Sequence, residues 1–542
     1  MNYGFVIDNR KCIGCHACTV ACKAEHDVPV GVNRTWVKYI EKGTFPNTRR
    51  LFSVMRCNHC EDAPCVEICP VTALHIRDDG IVDFDNRRCI GCKACTQACP
   101  YDALHIDPET HTAAKCNYCA HRVDIGLEPA CVNVCPEHAI ISGDLDDPAS
   151  EIYQLITREQ VSARKVEKGT KPNLFYIDGD GASLIPTTVG QSSSYMWSTQ
   201  SAGVGHYAKT AEALVAKDDP LTLAQQANGS AGNGVIVPHG SNDPKLLEKA
   251  KAVEKENARR VYDAPGKGVM WGWEVSAYVW TKAIAAGAFL VPFTALGFGL
   301  SSVSETVQWL GLALALVFLG LTGALLVKDL DQPTRFAYVL LRPQWRSWLV
   351  RGGYAITAYG GLLTLWGAAK FLGWNQLASI PMWGGAIFAV ITAIYTAFLF
   401  AQAKGRDFWQ SPTLPLHMLV HAFLAGGAVF AVLTLFQLGN IDWEWFVHRV
   451  LLAALILNLI VMVSELVTSH PTTDAKQTVE MIVSGRFKGA FWVGSVIVGN
   501  LLPLVLLSFG LNLLVPAGLL ALIGIYITEH IWVRAPQMIP LS

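Results

Sequence analysis

Sixteen cysteines lie between Cys12 and Cys135, and roughly the last three-quarters of this 542-residue chain has none. They fall into four runs of four. Cys12, Cys15, Cys18 and Cys22 form the first, and Cys89, Cys92, Cys95 and Cys99, followed by Pro100, form the third. Both have the spacing that holds cubane iron–sulfur clusters. The second run, Cys57, Cys60, Cys65 and Cys69 before Pro70, lengthens its middle gap. The fourth, Cys116, Cys119, Cys131 and Cys135 before Pro136, lengthens it further, which inserts a loop without losing a ligand. Three thiolates from one short loop can hold three corners of a cubane while loop N–H groups donate to its sulfurs, and a distant cysteine supplies the fourth corner.

Disulfide scaffolds scatter their cysteines through a small secreted chain, whereas these are grouped, and Met1–Lys11 has no room for an apolar leader core. Zinc also takes CxxC pairs, but it does not ask for three cysteines within seven residues plus a distal Cys-Pro. Reduced thiols ligating iron are therefore expected. Because the fourth cysteine of a run serves another cluster, the runs must pair, and spacing alone leaves the pairing open. The elements around them are small. Strand-like stretches at Tyr3–Asp8, Ala73–Arg77, Ile81–Phe84 and Ala103–Ile106 flank the runs, and CPVTALHI at Cys69–Ile76 recurs as CPYDALHI at Cys99–Ile106, with CPEHAII at Cys135 a third copy. No nucleophile–base pair, phosphate loop or carboxylate dyad accompanies them, so this part reads as a wire.

Over about residues 1–185 the order and gaps of the runs resemble the four-cluster electron-transfer subunits of molybdopterin oxidoreductases, such as the dimethyl-sulfoxide, polysulfide and tetrathionate reductases. The resemblance implies that the first run pairs with the fourth and the second with the third. On this sequence that gives Cys12, Cys15, Cys18 with Cys135; Cys22 with Cys116, Cys119, Cys131; Cys57, Cys60, Cys65 with Cys99; and Cys69 with Cys89, Cys92, Cys95. All sixteen positions are filled, which implies four [4Fe–4S] clusters.

The chain is 51% hydrophobic and 16% charged, more apolar than a soluble multidomain protein, and its net charge of -1 argues against a polyanion-binding surface such as nucleic acid would need. From about Glu159 to Pro265 Gly, Ser, Asn, Asp and Pro accumulate, with one expected helix at Pro244–Tyr262. This reads as a connector. It lacks the ~20 apolar residues that span a bilayer. Beyond Trp271, eight spans are predicted at about 275–300, 306–327, 348–372, 380–402, 413–438, 445–470, 489–509 and 511–533, with tryptophans near their ends. The segments at Tyr278–Leu290 and Val327–Tyr354 resemble the polysulfide-reductase membrane-subunit family, also called NrfD-like, over about residues 270–535. The expected organisation is an α+β, ferredoxin-like four-cluster domain at 1–158, a flexible linker and docking segment at 159–270, and an all-α eight-helix transmembrane bundle at 271–535.

Together the two resemblances imply a subunit that exchanges electrons with membrane quinone or quinol and passes them through four clusters to or from a separate molybdopterin-type catalytic subunit. A dihaem cytochrome is the first rival, but His417 and His421 share one helix face and cannot oppose each other across one haem, while His421 and His448 fall in opposite leaflets. No haem is expected. A redox-driven ion pump is the second, kept alive by isolated membrane charges such as Glu465. Lys and Arg near the span ends favour the side of the cluster domain by eleven to two, which places that domain in the cytoplasm by the positive-inside rule; relatives exported already folded make the periplasm the alternative. Lys282, His417, His421, Glu465, Glu529 and His530 all fall in the leaflet nearer the cluster domain. Ionisable groups are tolerated in lipid mainly where they line a cavity or pair, and quinone reduction needs protons with its electrons. Lys282 and His421 are the expected quinone contacts and Glu465 the proton relay, with His417 and His530 equally suited to the lipid interface.

Overall fold

The computed structural model describes residues 1–44, 47–189, 258–264, 266–297, 303–437 and 439–542. The amino-terminal half is built on β1 (Tyr3–Asp8), α1 (Ala17–Glu25), β2 (Thr35–Thr44), β3 (Asn47–Arg56), α2 (Pro64–Ile68), β4 (Leu74–Ile76), β5 (Val82–Phe84), α3 (Ala94–Ala98), β6 (Leu104–Ile106) and β7 (Ala113–Lys115). It continues through α4 (Ala120–Val123), α5 (Ala130–Asn133), β8 (Ile140–Asp144), α6 (Glu151–Arg158), β9 (Val161–Ser162), β10 (Leu174–Ile177), α7 (Gly181–Leu184) and β11 (Arg259–Tyr262).

Strand β1 sits inside a four-stranded sheet of order β8-β1-β10-β9, antiparallel to β8 and parallel to β10. Its side chains alternate between two cores: Phe5 and Ile7 pack with Trp36 and Tyr118, and Val6 with Ile141, Ile152 and Ile177. The duplication seen in the sequence is two copies of one cradle. Cys69 ends α2 and Cys99 ends α3, and each is followed by a short antiparallel hairpin, β4–β5 or β6–β7, that opens on the same Leu-His-Ile triplet.

Two readings of the connector change. Residues 161–184, expected to be part of it, carry β9, β10 and α7, and β10 is a central strand of the main sheet. Asn173, at its entry, is fixed by Asn173 N donating to the Asn58 carbonyl at 2.8 Å. Arg259–Tyr262, expected to end a helix, are extended and pair with β2, because tertiary pairing outweighs a short segment's own propensity; residues 244–257 of that expected helix lie outside the described ones.

The carboxy-terminal half consists of α8 (Trp273–Gly297), α9 (Glu305–Lys328), α10 (Tyr338–Leu341), α11 (Trp348–Phe371), α12 (Asn375–Gln402), α13 (Leu414–Leu433), α14 (Ile441–Val467) and α15 (Thr473–Val483). A π-helix at Ala490–Leu501 then runs into α16 (Leu502–Leu507), and α17 (Leu514–Arg534) closes the bundle. Among the described residues seven helices are long and apolar enough to cross a membrane. The remaining predicted span is α11, a 24-residue helix whose glycines, tyrosines, Arg351 and Lys370 make it less apolar than the seven. It packs along α12, and Trp348 N at its start donates to Gln402 Oε1 at the end of α12, so the pair forms an antiparallel hairpin.

Glycines bring the site-bearing helices together. A Cβ on Gly287 of α8 would stand 1.9 Å from the Ala422 carbonyl of α13, and one on Gly426 would stand 2.4 Å from Gly287. Gly499 of the π-helix and Gly524 of α17 meet in the same way. Small residues let backbones approach where lipid offers no hydrophobic drive to pack helices.

Candidate cysteine cages and a buried histidine–glutamate track

The first and third runs adopt one loop conformation. Gly14 and Gly91 have φ of +72° and +69°, and His16 and Lys93, two residues on, also lie in the left-handed region, immediately before α1 and α3. Such loops turn successive N–H groups toward one concavity. Cavities open there: one is lined by Cys12, Cys15, Cys18 and Cys135, another by Cys69, Cys89, Cys92 and Cys95. Cys22 is in electrostatic reach of Cys116, Cys119 and Cys131, and Cys65 of Cys57, Cys60 and Cys99. The structure thus brings two sets of four thiols around cavities and holds the other eight near one another in two further sets.

These groups fit iron–sulfur clusters on two counts. Burial pushes the thiols of Cys18 and Cys99 up to about 11, so thiolates form at those two positions only beside a cation such as iron. Also, the wholly buried Arg56 leaves Nε and Nη2 without a protein acceptor among the described residues next to Cys131, as a guanidinium facing an anionic cluster would. Cys15 is exposed and Cys12 and Cys135 are partly so, whereas the second and third runs are buried except for the half-buried Cys92.

The third run meets the membrane half. Trp271 Nε1 donates to the Cys92 carbonyl at 3.1 Å, and Arg335 Nη1 to those of Asn86 and Cys89 at 2.8 and 2.9 Å. Asp331 backs onto Gly91, where a Cβ would stand 2.7 Å from the Asp331 Cβ. Lys93 donates to the Asp329 carbonyl at 2.7 Å and pairs with Asp331 at 3.1 Å. Trp271 also stacks on Phe400 and Trp409, an aromatic slab beneath the Cys92 loop.

Within the bundle the sequence-selected residues converge from separate helices. On α13, His417 and His421 stand edge to face with centroids 4.3 Å apart. His417 Nδ1 is 2.7 Å from Glu465 Oε2 on α14, a carboxylate that also accepts from Trp532 Nε1 at 2.9 Å and from Thr413 Oγ1 at 3.1 Å. His421 Nδ1 is 2.6 Å from Glu529 Oε1 on α17, and its Nε2 is 3.0 Å from Asn458 Oδ1, whose Nδ2 donates to Asn500 Oδ1 at 2.9 Å. Lys282 Nζ donates to Thr396 Oγ1 at 2.6 Å and lies 4.8 Å over the Tyr395 ring. The same Nζ lies 4.0 Å from the sulfur of Met418, between the two histidines in sequence.

His417, expected to suit the lipid interface as well as the core, is 2% exposed and held by Glu465. His530 stays apart: it is half-buried, beside Arg534. Sequence reasoning did not select Asn458, Asn500, Trp532 or Thr413, nor give Glu529 a role. Asn458 and Asn500 carried a signal, being amides inside apolar spans. Beside the track, an apolar groove bounded by Leu459, Met462, Phe491 and Trp492 opens between α14 and the π-helix, with His470 and Lys476 at its edge.

Comparison with known proteins agrees with this two-part construction. Models of a 4Fe-4S dicluster domain match residues 11–74 and 48–145. The B subunit of the tetrathionate reductase of Salmonella typhimurium is 44% identical over 200 residues, 36% of this chain and 79% of that protein. The B polypeptide of the polysulfide reductase of Wolinella succinogenes is 41% identical over 180 residues, 32% of this chain and 93% of its own. A putative dimethyl sulfoxide reductase iron-sulfur subunit of Halobacterium salinarum is 36% identical over 269 residues, 44% of this chain and 95% of that one. The chain is thus an iron–sulfur protein joined to a multi-pass membrane domain, and since residues 264–540, slightly more than half of it, match the polysulphide reductase, NrfD model, it belongs to that family.

Proposed function

We propose that this chain is the electron-transfer and quinone-reactive subunit of a respiratory oxidoreductase, carrying electrons between membrane quinone and a separate, molybdopterin-type catalytic subunit. The observation that carries the reading is the succession of sites: an exposed cysteine cage at Cys15, buried cages behind it, the Cys92 loop against the membrane half, and the histidine–glutamate track below. The four thiol groups would hold four [4Fe–4S] clusters, which supply one-electron carriers. The catalytic partner would dock over the cage at Cys15, beside the exposed Ile13 and Val20. The domains would be those expected from sequence, with the connector shortened by β9, β10 and α7.

In the bundle, the residues do the work of proton and substrate handling. The quinone would enter through the groove at Met462 and Phe491 and meet Lys282 and His421. His421, held by Glu529 in one orientation, donates to or accepts from a quinone oxygen; Glu465, through His417, exchanges the proton with the groove side. A carboxylate beside each imidazole keeps the proton within one hydrogen bond of its acceptor.

Substituting His421→Ala or Lys282→Ala is expected to lower quinol-driven reduction of the clusters at least tenfold while dithionite still reduces them. Wild-type quinol activity in both variants would place the site elsewhere. Iron near sixteen per chain supports four clusters, and about eight opposes them. The protein that copurifies in mild detergent identifies the catalytic partner.

A further inference from the structure

Arg56 ends β3 with its side chain wholly buried, and among the described residues no carboxylate meets it. Nη1 donates to Cys131 Sγ at 3.1 Å, while Nε and Nη2 have no partner among those residues. The guanidinium lies 4.4 Å over the Phe5 ring, in electrostatic reach of Cys131 and Cys116 of the fourth run and of Cys18 of the first. It therefore stands in the gap between the first-run and fourth-run cages. A lone buried charge costs several kcal/mol unless a counter-charge and acceptors face it. Here the acceptor within reach is a cage thiol. The arrangement is repeated one gap along: Lys115 is wholly buried, donates to the carbonyls of Val82 and Cys116, and is in electrostatic reach of Cys57 and Cys65 of the next cage.

We propose that Arg56 is a built-in counter-ion that raises the reduction potential of the cluster held by Cys22, Cys116, Cys119 and Cys131, making that cluster the favoured resting place of an electron entering from the first run. Reduction adds one negative charge to a cluster, and a fixed cation in a poorly screened interior stabilises the reduced form more than the oxidised one. Arginine suits this role because it stays protonated whatever the cluster's state. Its guanidinium donates to Cys131 Sγ, one of the thiols of that cage, and charge-assisted hydrogen bonds strengthen with the acceptor's charge. The proposal rests on the iron–sulfur reading, and its test separates the two.

The full chain is purified without oxygen as wild type, Arg56→Met and Arg56→Lys; iron and acid-labile sulfide are counted, and cluster signals are followed by electron paramagnetic resonance during a potentiometric titration. With iron equal in all three, one signal is expected to move to more negative potential in Arg56→Met and to return toward the wild-type position in Arg56→Lys. An unmoved midpoint in Arg56→Met, or the same shift in both variants, overturns the proposal. If Arg56→Met loses the iron of one cluster and Arg56→Lys retains it, the charge role stands; loss in both assigns Arg56 to shape alone and overturns it. Absence of iron from the wild type defeats the iron–sulfur reading instead.

Discussion

Asp329, the residue that closes α9, shows how a single side chain ties the two halves together. Burial, ahead of the neighbouring Glu274 and Asp331, pushes its carboxyl up to about 7 even though Lys93 lies close. The folded protein thus holds a proton there that the unfolded chain, with an ordinary carboxyl near 3.8, releases. Between those two values stability falls as pH rises, because folding must retain the proton. An Asp329→Asn variant lacks this dependence. Its unfolding midpoint in detergent is expected to gain on the wild type between about pH 5 and about pH 8, by about 2 kcal/mol at the upper end. A constant gap across that range would show that Asp329 is charged throughout. Lys93, next to Cys92, would then face a charged Asp329.

At the level of helices, α13 carries both histidines of the track, and its place is set by the Gly287–Gly426 contact with α8, which carries Lys282. Gly426→Leu is expected to force these helices apart, at a cost of about 1–3 kcal/mol, and to lower quinol activity with the cluster signals intact. Full quinol activity in a folded Gly426→Leu protein would mean that Lys282 and His421 need not be adjacent. What could be read from sequence divides along the same line. The cysteine cradles were legible because their ligands sit within a few residues of one another and repeat. The spans were legible by length, and α11 was found as a helix although its apolarity falls below the others. The partners of the histidines were not, since His421 meets Asn458, 37 residues away, and Glu529, 108 residues away, through folding alone. Strand β10 was missed because four residues between loops carry too little pattern to reveal a central parallel strand.

For the molecule as a whole, the described helices have alternate ends at the cluster domain. Gln344 N donates to the Pro70 carbonyl, Ser347 Oγ to that of Ile68 and Gly405 N to that of Gln97, all on one side, while Gly373 and Trp374 lie at the far end of the α11–α12 hairpin. The excess of Lys and Arg on the cluster side predicts that this side faces the cytoplasm. Every native cysteine belongs to the cluster domain, so a single new one reports cleanly. The exposed Trp374, replaced as Trp374→Cys, is expected to react with a membrane-impermeant maleimide in intact cells. Labelling only after the cells are broken would put the cluster domain on the outer face.

The exposure of Cys15 bears on how the protein fails in air. Dioxygen and superoxide attack a cluster from the side where solvent reaches its irons and sulfurs, and the first-run cage exposes Cys15 while the third-run cage, backed by the Trp271 slab, keeps all its thiols buried except the half-buried Cys92. Oxidative damage should therefore be ordered, with the outermost cage shedding iron before the innermost. On timed exposure to air, the signal lost first is expected to be the one that Cys15→Ser alters, and simultaneous decay of all signals would argue against such an order. A preparation handled aerobically would then keep its quinone chemistry and lose its outlet, and would mimic a missing catalytic partner.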